Sequence, residues 1–438
     1  MQHASASRPY TDAPPDYGLV MRSPPTTTGL QAVDFLPRVT AVAGPCNRPV
    51  YESFNVLAER ASVFLRNNPH WAVNTCESVE FPVYSKGYDI DAVESAFTVY
   101  GDSDNRYIRG LRLWMQHRSS CSATTITGAQ QIGYLNFLPR INYDDSVERL
   151  DSVLQRINSK PVKGTIITVE TQPVKWGSKD CDADRTAWTE RSGTRERFLN
   201  LVRIFYIRGP AQRVQVGLKD FLPSSGDDYS HPHTQTFPAV MQRVREWMLS
   251  VPPNYRPVNV QTVAFRGSGN KFDTWAMTYR EDKQHLNYMR YLRVAFIVED
   301  PTTGPLSRSM IQLDSQLFTP RVLPSHGFCG VGAFESQDTC RQRLDAWVQA
   351  TGARVVAVET LLMPMVSGGE TVNDGDAMRI CNNVHLPHSD SHTHNQRFVY
   401  MYRIYTDGIV PDQPVIIHDT QRHAYATPVH SGDLCTIS

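Results

Sequence analysis

The sequence predicts an α+β protein of four tandem diverged repeats, each with one helix packed on an antiparallel sheet of about three strands. Three landmarks support this prediction, because they return in one order four times along the 438 residues. They are a Phe-Leu-Pro-Arg-like tetrapeptide, an acidic or amide residue after an apolar run, and an arginine inside an apolar strand. Such a recurrence is hard to obtain by chance.

The tetrapeptide is expected to end a short strand in each repeat, because proline cannot donate to a sheet. It occupies 35–38, 137–140, 221–224 and 318–321. Apolar spacings of three and four then predict a helix. The four apolar stripes are Phe54, Leu57, Ala58, Ala61 and Leu65; Val147, Leu150, Val153, Leu154 and Ile157; Val240, Val244, Trp247, Met248 and Val251; and Cys340, Leu344, Trp347 and Val348. Asp145 or Ser146 is expected to cap the second helix, and Thr339 the fourth.

The other two landmarks mark a pair of strands in each repeat. The acidic or amide residues recur at intervals of 91 to 98 residues and are Glu77, Glu170, Gln261 and Glu359. The strand arginines are Arg112, Arg203, Arg293 and Arg403. A mid-strand arginine is either paired or faces solvent. We interpret each as a structural cross-strand partner of the Glu or Gln in its own repeat; the alternative is a carboxylate clamp repeated four times.

A short Pro/Gly turn follows each arginine strand and predicts an antiparallel connection to the next strand. The repeats are expected to share connecting strands, in a row, in two domains or in a ring. The predicted boundaries are 1–32 for a disordered Pro-rich tail, 33–123, 124–210, 211–302 and 303–412 for the repeats, 413–426 for a closing strand and 427–438 for a flexible tail.

The stretch from Val355 to Thr360, followed by a strand like that from Phe398 to Tyr405, resembles a pattern in uncharacterised multi-repeat proteins of aquatic invertebrates. The resemblance covers the four repeats. It implies a repeat architecture and transfers no function.

The sequence ends in Cys435-Thr436-Ile437-Ser438. This tetrapeptide resembles the C-a-a-X box of protein farnesyltransferase substrates, in which a terminal serine favours the shorter isoprenoid. We expect a farnesyl group on Cys435 and peripheral attachment to membranes. One isoprenoid without a basic cluster holds only reversibly, so oligomerisation would supply the missing valency. The alternative is a cysteine that occurs there without a role.

The N-terminal tail contains Pro14-Pro15-Asp16-Tyr17, which fits the P-P-x-Y pattern. WW domains bind such peptides because the polyproline II conformation is already formed and proline packs between aromatic rings. The motif residues Pro14, Pro15 and Tyr17 therefore predict a WW-domain partner. The alternative is a solvated tail.

The fourth repeat has a longer loop that is dense in zinc ligands. It contains Cys381, His385, His388, Asp390, His392 and His394. His385, His388, His392 and His394 are the candidate metal ligands, although their spacing matches no closed zinc site. The alternative is a solvated loop that is merely His-rich.

Composition limits the function classes. Lys+Arg and Asp+Glu both number 44, so no net charge attracts nucleic acid, and no nucleic acid partner is expected. No apolar run approaches a membrane span and no signal peptide opens the sequence, which predicts a cytoplasmic location. No Gly-rich phosphate loop or nucleophile elbow is present, so no cofactor apart from zinc is expected.

These features together predict a non-enzymatic, membrane-tethered scaffold or adaptor that self-associates through its repeats. The alternatives are a module that binds a small ligand, glycan or metal through its long loops, and an RNA-binding repeat protein. The lack of a Lys-rich helix start argues against the last.

Overall fold

The computed structural model describes residues 29–41, 49–83, 90, 92–100, 104–118, 130–177, 181–190, 196–224, 235–266, 273–281, 287–300, 310–323, 333–365, 376–381 and 396–409. The predicted Pro-rich tail, closing strand and C-terminal tail lie almost entirely outside these residues. Within them the chain forms one helix per repeat: α1 (Phe54–Asn67), α2 (Leu150–Asn158), α3 (Phe237–Ser250) and α4 (Gln337–Thr351).

Each repeat also contributes four principal strands. The first strands are β1 (Leu30–Phe35), β7 (Ile132–Phe137), β11 (Gln215–Phe221) and β15 (Leu313–Phe318). The inner strands are β4 (Trp71–Val83), β8 (Val162–Lys175), β12 (Tyr255–Arg266) and β18 (Arg354–Pro364). The short strands are β5 (Ala96–Val99), β9 (Ala187–Glu190), β13 (Thr278–Glu281) and β19 (Arg379–Cys381). The arginine strands are β6 (Asn105–His117), β10 (Glu196–Gln212), β14 (Asn287–Val298) and β20 (Gln396–Asp407). Two minor hairpins pair β2 (Val39–Ala41) with β3 (Val50–Tyr51) and β16 (Val322–Leu323) with β17 (Ala333–Phe334).

The strands form four antiparallel sheets, and each sheet borrows a strand from a neighbouring repeat. In every sheet the arginine strand lies between the inner strand and the first strand. The fourth member is the short strand of the next repeat: β9 joins β6, β13 joins β10, β19 joins β14, and β5 joins β20. Because β5 of repeat 1 completes the sheet of repeat 4, the four sheets close into a propeller-like ring.

The predicted hairpin after each arginine strand was wrong. Only residues 213–214 separate β10 from β11, yet β11 pairs with β14 in the next sheet. The short connection therefore carries the chain from one sheet to its neighbour. A short turn permits a hairpin but does not require one when another strand offers a better partner.

Four hydrophobic cores in the described residues each combine one helix with strands of two neighbouring sheets. Leu111 and Leu113 face the core around α1, whereas Trp114 faces the core around α4. Side chains thus alternate between two cores along the arginine strand, which buries both faces of the sheet. A fully buried Leu or Phe contributes about 1.5–3 kcal/mol, so the shared cores bind adjacent repeats together.

Two of the expected helix caps were wrong. The second helix begins at Leu150, and Val147 forms an isolated bridge with Ile141 before it. Asp145 instead adopts a φ of 60° in a tight turn. In the fourth repeat Ser336 is the cap and accepts the N–H of Thr339. The caps were predicted about one helical turn away from their actual positions, because Asp and Ser favour turns as well as caps.

The four inner strands meet at the ring axis, each in contact with the next. All four inner strands carry a register shift, a β-bulge, at the equivalent place. The shifts lie between Val73 and Thr75 in β4, between Ile166 and Thr168 in β8, between Pro257 and Asn259 in β12, and between Val355 and Ala357 in β18. Such bulges bend and twist a strand. In the part of the chain described here, no helix has both the length and the apolar character needed to cross a bilayer.

Candidate functional site at the ring axis

Four arginines lie near the ring axis, each directly opposite the Glu or Gln of its own repeat. The register pairs are Arg112 with Glu77, Arg203 with Glu170, Arg293 with Gln261 and Arg403 with Glu359. None of the four arginines is more than 3% exposed. We name each arginine with its opposite residue a station, numbered by repeat. Within stations 1, 2 and 4 the Nη1 to Oε1 distances are 3.8, 4.0 and 3.7 Å, too long for direct hydrogen bonds.

A hydroxyl from the preceding repeat fills the gap in station 1. Arg112 Nη1 donates to Thr360 Oγ1 at 2.8 Å, and that hydroxyl donates to Glu77 Oε1 at 2.6 Å. The backbone N–H of Thr360 donates to Glu77 Oε2 at 2.8 Å. Thr360 of repeat 4 thus forms hydrogen bonds with both Arg112 and Glu77 of repeat 1. Thr360 follows Glu77 in the sequence by 283 residues.

The same bridge recurs around the ring. In station 2, Arg203 Nη1 donates to Ser78 Oγ at 2.7 Å and Ser78 Oγ donates to Glu170 Oε1 at 2.5 Å. In station 4, Thr262 occupies the bridge, with distances of 3.4 Å from Arg403 and 2.7 Å to Glu359. Each bridging residue directly follows the Glu or Gln landmark of its own repeat, so every inner strand supplies one acceptor and one bridge.

In station 3 the amide side chain of Gln261 makes the contact between neighbouring repeats. Gln261 Oε1 accepts the N–H of Thr171 at 2.9 Å, and its Nε2 donates to the Thr171 carbonyl at 2.9 Å. The Thr171 hydroxyl accepts from Arg293 Nη1 at 3.0 Å. An uncharged side chain therefore joins repeats 2 and 3 as the carboxylates join the others.

The arginines of stations 1 and 3 each have a second carboxylate on the first strand of their own repeat. Arg112 binds Asp34 through two hydrogen bonds of 2.6 and 2.8 Å. Arg293 binds Asp220 in the same way, at 2.7 and 2.8 Å. Bidentate pairs of this kind are among the stronger polar contacts in proteins.

Stations 2 and 4 hold their arginines in another way. The guanidinium of Arg203 lies 3.7 Å from the ring centroid of Phe54, the first residue of α1. The guanidinium of Arg403 lies 3.5 Å from that of Phe237, the first residue of α3. In both cases the aromatic ring belongs to the preceding repeat. In station 2 the cation–π contact takes the place of a second carboxylate, whereas Arg403 of station 4 also donates to Asp376 Oδ1 at 2.7 Å.

Burial and charge shift the station pKa values in opposite directions. Burial alone would raise the pKa of Asp34, but the charges of Arg112 and Arg341 outweigh it and hold that pKa well below its ordinary value. Burial raises the pKa of Glu77 and of Glu170, although a neighbouring arginine opposes the shift in each case. Burial also lowers the pKa of Arg203 to about 10.

The stations join successive repeats into a ring. None of the polar side-chain atoms of their arginines, glutamates or Gln261 is among the buried atoms that lack a hydrogen-bond partner in the described residues. The polar groups of the stations are therefore already engaged in hydrogen bonds, including those between repeats. The arrangement is structural: four bridged contacts connect the four repeats in a closed ring.

Several residues predicted as sites lie outside the described residues. These are Cys435 of the C-a-a-X box, Pro14, Pro15 and Tyr17 of the WW motif, and the loop histidines His385, His388, His392 and His394. Within the described residues, no group of three or more His, Cys, Asp or Glu side chains is placed to hold a metal ion.

Sequence reasoning missed a second repeated feature, which we name the rim hairpins. These are the described parts of residues 38–51, 140–148 and 321–334. Each opens with the exposed arginine of the tetrapeptide, and an exposed apolar residue follows it: Val39 is 38% exposed, Ile141 41% and Val322 42%. In repeat 3 the arginine is replaced by Ser224. The detectable signal was the tetrapeptide arginine, which directly precedes the exposed apolar residue in each of these three repeats.

A groove of about 460 Å³ lies between α2 and the following repeat. Its walls comprise Asp151, Leu154, Gln155, Asn158, Ser159, Gln215 and Trp275. Trp275 is 42% exposed. The equivalent positions in the other repeats, defined by the backbone carbonyl that accepts from the first helical residue, are Val93, Asp184 and Asp376.

Comparison with protein-family models, with curated proteins and with solved structures finds no match for this chain.

Proposed function

We propose that the protein is a non-enzymatic adaptor, a ring closed within one chain that self-associates through its rim hairpins. The observation that carries this proposal is the recurrence of exposed apolar residues at equivalent positions of three repeats. Val50 and Leu323 extend the apolar surface in repeats 1 and 4, at 55% and 43% exposure. These two repeats are neighbours in the ring.

Physical considerations favour a second copy of this chain as the occupant. Exposed apolar residues that lie close together are typical of interaction sites, and Val39 shares a hairpin with Val50, as Val322 does with Leu323. The chain has no net charge, so little repulsion opposes association with itself. A ring also repeats its contacts, and repeated weak contacts add through multivalency.

The proposal is tested by the oligomeric state of purified protein at micromolar concentration. We expect sedimentation velocity to show dimers or larger species for the wild type and monomers for the variant V39D/V322D. Val63 offers a matched control, since it is 44% exposed on α1, away from the rim hairpins. The variant V63D should associate like the wild type. A wild-type protein that stays monomeric would contradict the proposal.

The membrane tether and the WW partner complete the adaptor as proposed. For a chain whose last residue is Ser438, farnesylation of Cys435 would hold the ring reversibly at a bilayer. The motif Pro14-Pro15-Asp16-Tyr17 would then bring a WW domain to that surface. A fluorescent WW domain should float with vesicles only when prenylated protein is present. Variants C435S and Y17A should each abolish flotation of the WW domain, whereas only C435S should release the adaptor.

A second function, binding of an uncharged polar ligand such as a glycan, is favoured by the groove beside Trp275. The groove is open to solvent, and an exposed indole next to amide side chains can stack on a sugar ring and bond its hydroxyls. The amides are Gln155 and Gln215. A glycan array should identify a ligand that wild type binds and W275A does not. An array without binding would leave only the adaptor function.

A further inference from the structure

The rim hairpin of repeat 2 presents an aromatic side chain to solvent. Tyr143 lies in the turn that joins Ile141 to Val147, and it is the most exposed large apolar residue in the described part of the chain. Asp144 and Asp145 follow it and are exposed as well. Tyrosine is enriched among the residues that carry the binding energy of protein interfaces. This turn therefore combines an interface-type anchor with two negative charges.

The turn is held in one conformation by its own hydrogen bonds. The N–H of Asn142 donates to the Ser146 carbonyl at 2.9 Å, and the N–H of Asp145 donates to the Asn142 carbonyl at 3.1 Å. Ser146 Oγ donates to Asp144 Oδ1 at 2.6 Å, and this bond keeps the pKa of Asp144 below its ordinary value. Asp145 has a φ of 60°, a conformation that aspartate tolerates better than most residues. Tyr143 is thus presented on a preformed turn, which lowers the entropy cost of binding.

The rim hairpin of repeat 1 exposes the complementary chemistry. Arg38, Val39 and Val50 are exposed there, and the sequence from 38 to 51 contains no Asp or Glu. A tyrosine ring packs well on aliphatic side chains and a guanidinium, and the guanidinium attracts carboxylates. Within one described chain the turn does not rest on this surface, since Tyr143 is fully exposed. The complementary surfaces are therefore both open to a second copy.

We propose that the Tyr143 turn of one copy docks on the repeat 1 hairpin of a second copy. This inference rests on the self-association proposed above and specifies which surfaces meet. Repeats 1 and 2 are neighbours in the ring, because β9 of repeat 2 completes the sheet of repeat 1. A two-fold axis between these repeats therefore forms the contact twice, so each copy donates its turn and receives the partner's turn. Charge complementarity favours this pairing over contacts between like hairpins, in which equal charges would meet.

Single variants of the whole chain test the two sides of the contact by sedimentation velocity. Y143A removes the anchor, and V39D places a negative charge where the acidic turn would dock. We expect each variant to raise the dimer Kd by roughly tenfold or more. Y143F keeps the ring and should associate like the wild type, as should V63D. All these positions are exposed, and unchanged midpoints of thermal unfolding would show that the variants fold.

The equivalent arginines of repeats 1 and 4 provide a matched pair. R38E reverses the charge that the docked turn would meet and should weaken the dimer. Arg321 occupies the same place in repeat 4 and is also exposed, but R321E should leave the dimer Kd unchanged. An effect of R321E as large as that of R38E would place the turn on repeat 4 and overturn the proposed pairing.

Mixing two defective variants gives the sharpest test. In a heterodimer of Y143A with V39D, the Y143A chain supplies an intact repeat 1 hairpin and the V39D chain supplies an intact turn. One of the two contacts is then complete, so the equimolar mixture should dimerise more tightly than either variant alone. A dimer built from contacts between like hairpins would show no such restoration.

The outcomes separate this inference from the self-association on which it rests. A wild-type protein that dimerises, with Y143A equal to wild type or with no gain on mixing, would overturn the docking of the turn but leave self-association intact. Wild-type species that grow beyond the dimer would contradict the two-fold closure. A monomeric wild type would contradict self-association itself.

Discussion

Stations 1 and 3 differ from stations 2 and 4 in the groups that stabilise the buried arginine. In stations 1 and 3 the first strand places Asp34 or Asp220 opposite the arginine. In stations 2 and 4 the same register position holds Asn136 or Leu317, and an aromatic ring from the preceding helix approaches the guanidinium. In station 4, Arg403 Nη2 also donates to Asp376 Oδ1 at 2.7 Å. A buried arginine can therefore be held by a second carboxylate, by the face of a ring, or by both.

The alternation also explains where the one neutral station occurs. Gln261 stands in station 3, whose arginine keeps the carboxylate of Asp220. Among the described residues, Arg203 of station 2 makes no direct hydrogen bond to a carboxylate: Ser78, Asn136 and the Ala183 carbonyl accept its hydrogen bonds. Repeats 1 and 3 share further the buried Arg109 and Arg290.

The largest expected effect separates stations 1 and 2. The variant E170Q removes the nearest carboxylate from Arg203 and should lower the free energy of unfolding by about 3–5 kcal/mol, the cost of leaving a buried charge unpaired. The matched variant E77Q keeps Asp34 beside Arg112 and should cost about 1 kcal/mol or less, as station 3 does naturally. Urea unfolding at pH 7 measures both. Equal losses would show that the second carboxylate has no compensating role.

Removal of Asp34 should have an intermediate effect that depends on pH. D34N removes the carboxylate that both Arg112 and Arg341 bind, at a cost of roughly 2 kcal/mol. The folded pKa of Asp34 is lowered, so its contribution is complete above the ordinary value of about 3.9 and is lost as the pH falls below it. The gap between wild type and D34N should therefore close in acid. The double variant D34N/E77Q should lose more than the sum of the single variants.

Glu77 should show the opposite dependence on pH. Its folded pKa is raised, so the folded protein binds this proton more tightly than the unfolded chain. The stability that this group contributes is complete below about pH 4.3 and is lost as the pH rises through the raised pKa. E77Q should gain on wild type between pH 4.5 and pH 7 (roughly the window set by the ordinary glutamate value). A deficit of E77Q relative to wild type that grows as the pH rises over this range would contradict the raised pKa of Glu77.

The aromatic contribution can be isolated in station 2. The variant F54L keeps an apolar side chain at the start of α1 but removes the π face beneath Arg203, and leucine is the natural residue at this position in α2. We expect a loss of about 1 kcal/mol, the typical value of a cation–π contact. Urea unfolding of F54L beside the control L57M, another buried α1 position, checks it. Equal losses in both would assign the effect to packing.

The smallest effect is expected outside the ring axis. Arg149 and Asp273 form an ion pair between repeats 2 and 3, with side chains 56% and 46% exposed. Exposed pairs of this kind contribute little because water and salt screen them. The variant R149Q should melt within experimental error of wild type. A clear loss would mean that surface contacts share in holding the repeats together.

Local patterns in the sequence predicted the repeat units, the helices and the residues that lie opposite each other in the stations. They could not predict the ring, because its closure depends on contacts such as Glu77 with Thr360 that no local period encodes. The short strands escaped notice, since runs of three or four residues such as β5 and β19 carry no clear alternation. The bridging hydroxyls were detectable, however. Ser78, Thr171, Thr262 and Thr360 each follow a landmark directly.

Ring closure is tested most directly at the junction between repeat 1 and repeat 4, where Ala96 of β5 pairs with Val399 of β20. The variant A96C/V399C, oxidised at low concentration and digested, should yield a disulfide-linked peptide pair from monomeric protein by mass spectrometry. The equivalent pair at another junction, L199C/T278C, is the positive control. A control that cross-links within one chain while 96 and 399 stay unlinked, or link only between two chains, would contradict a ring closed within a single chain.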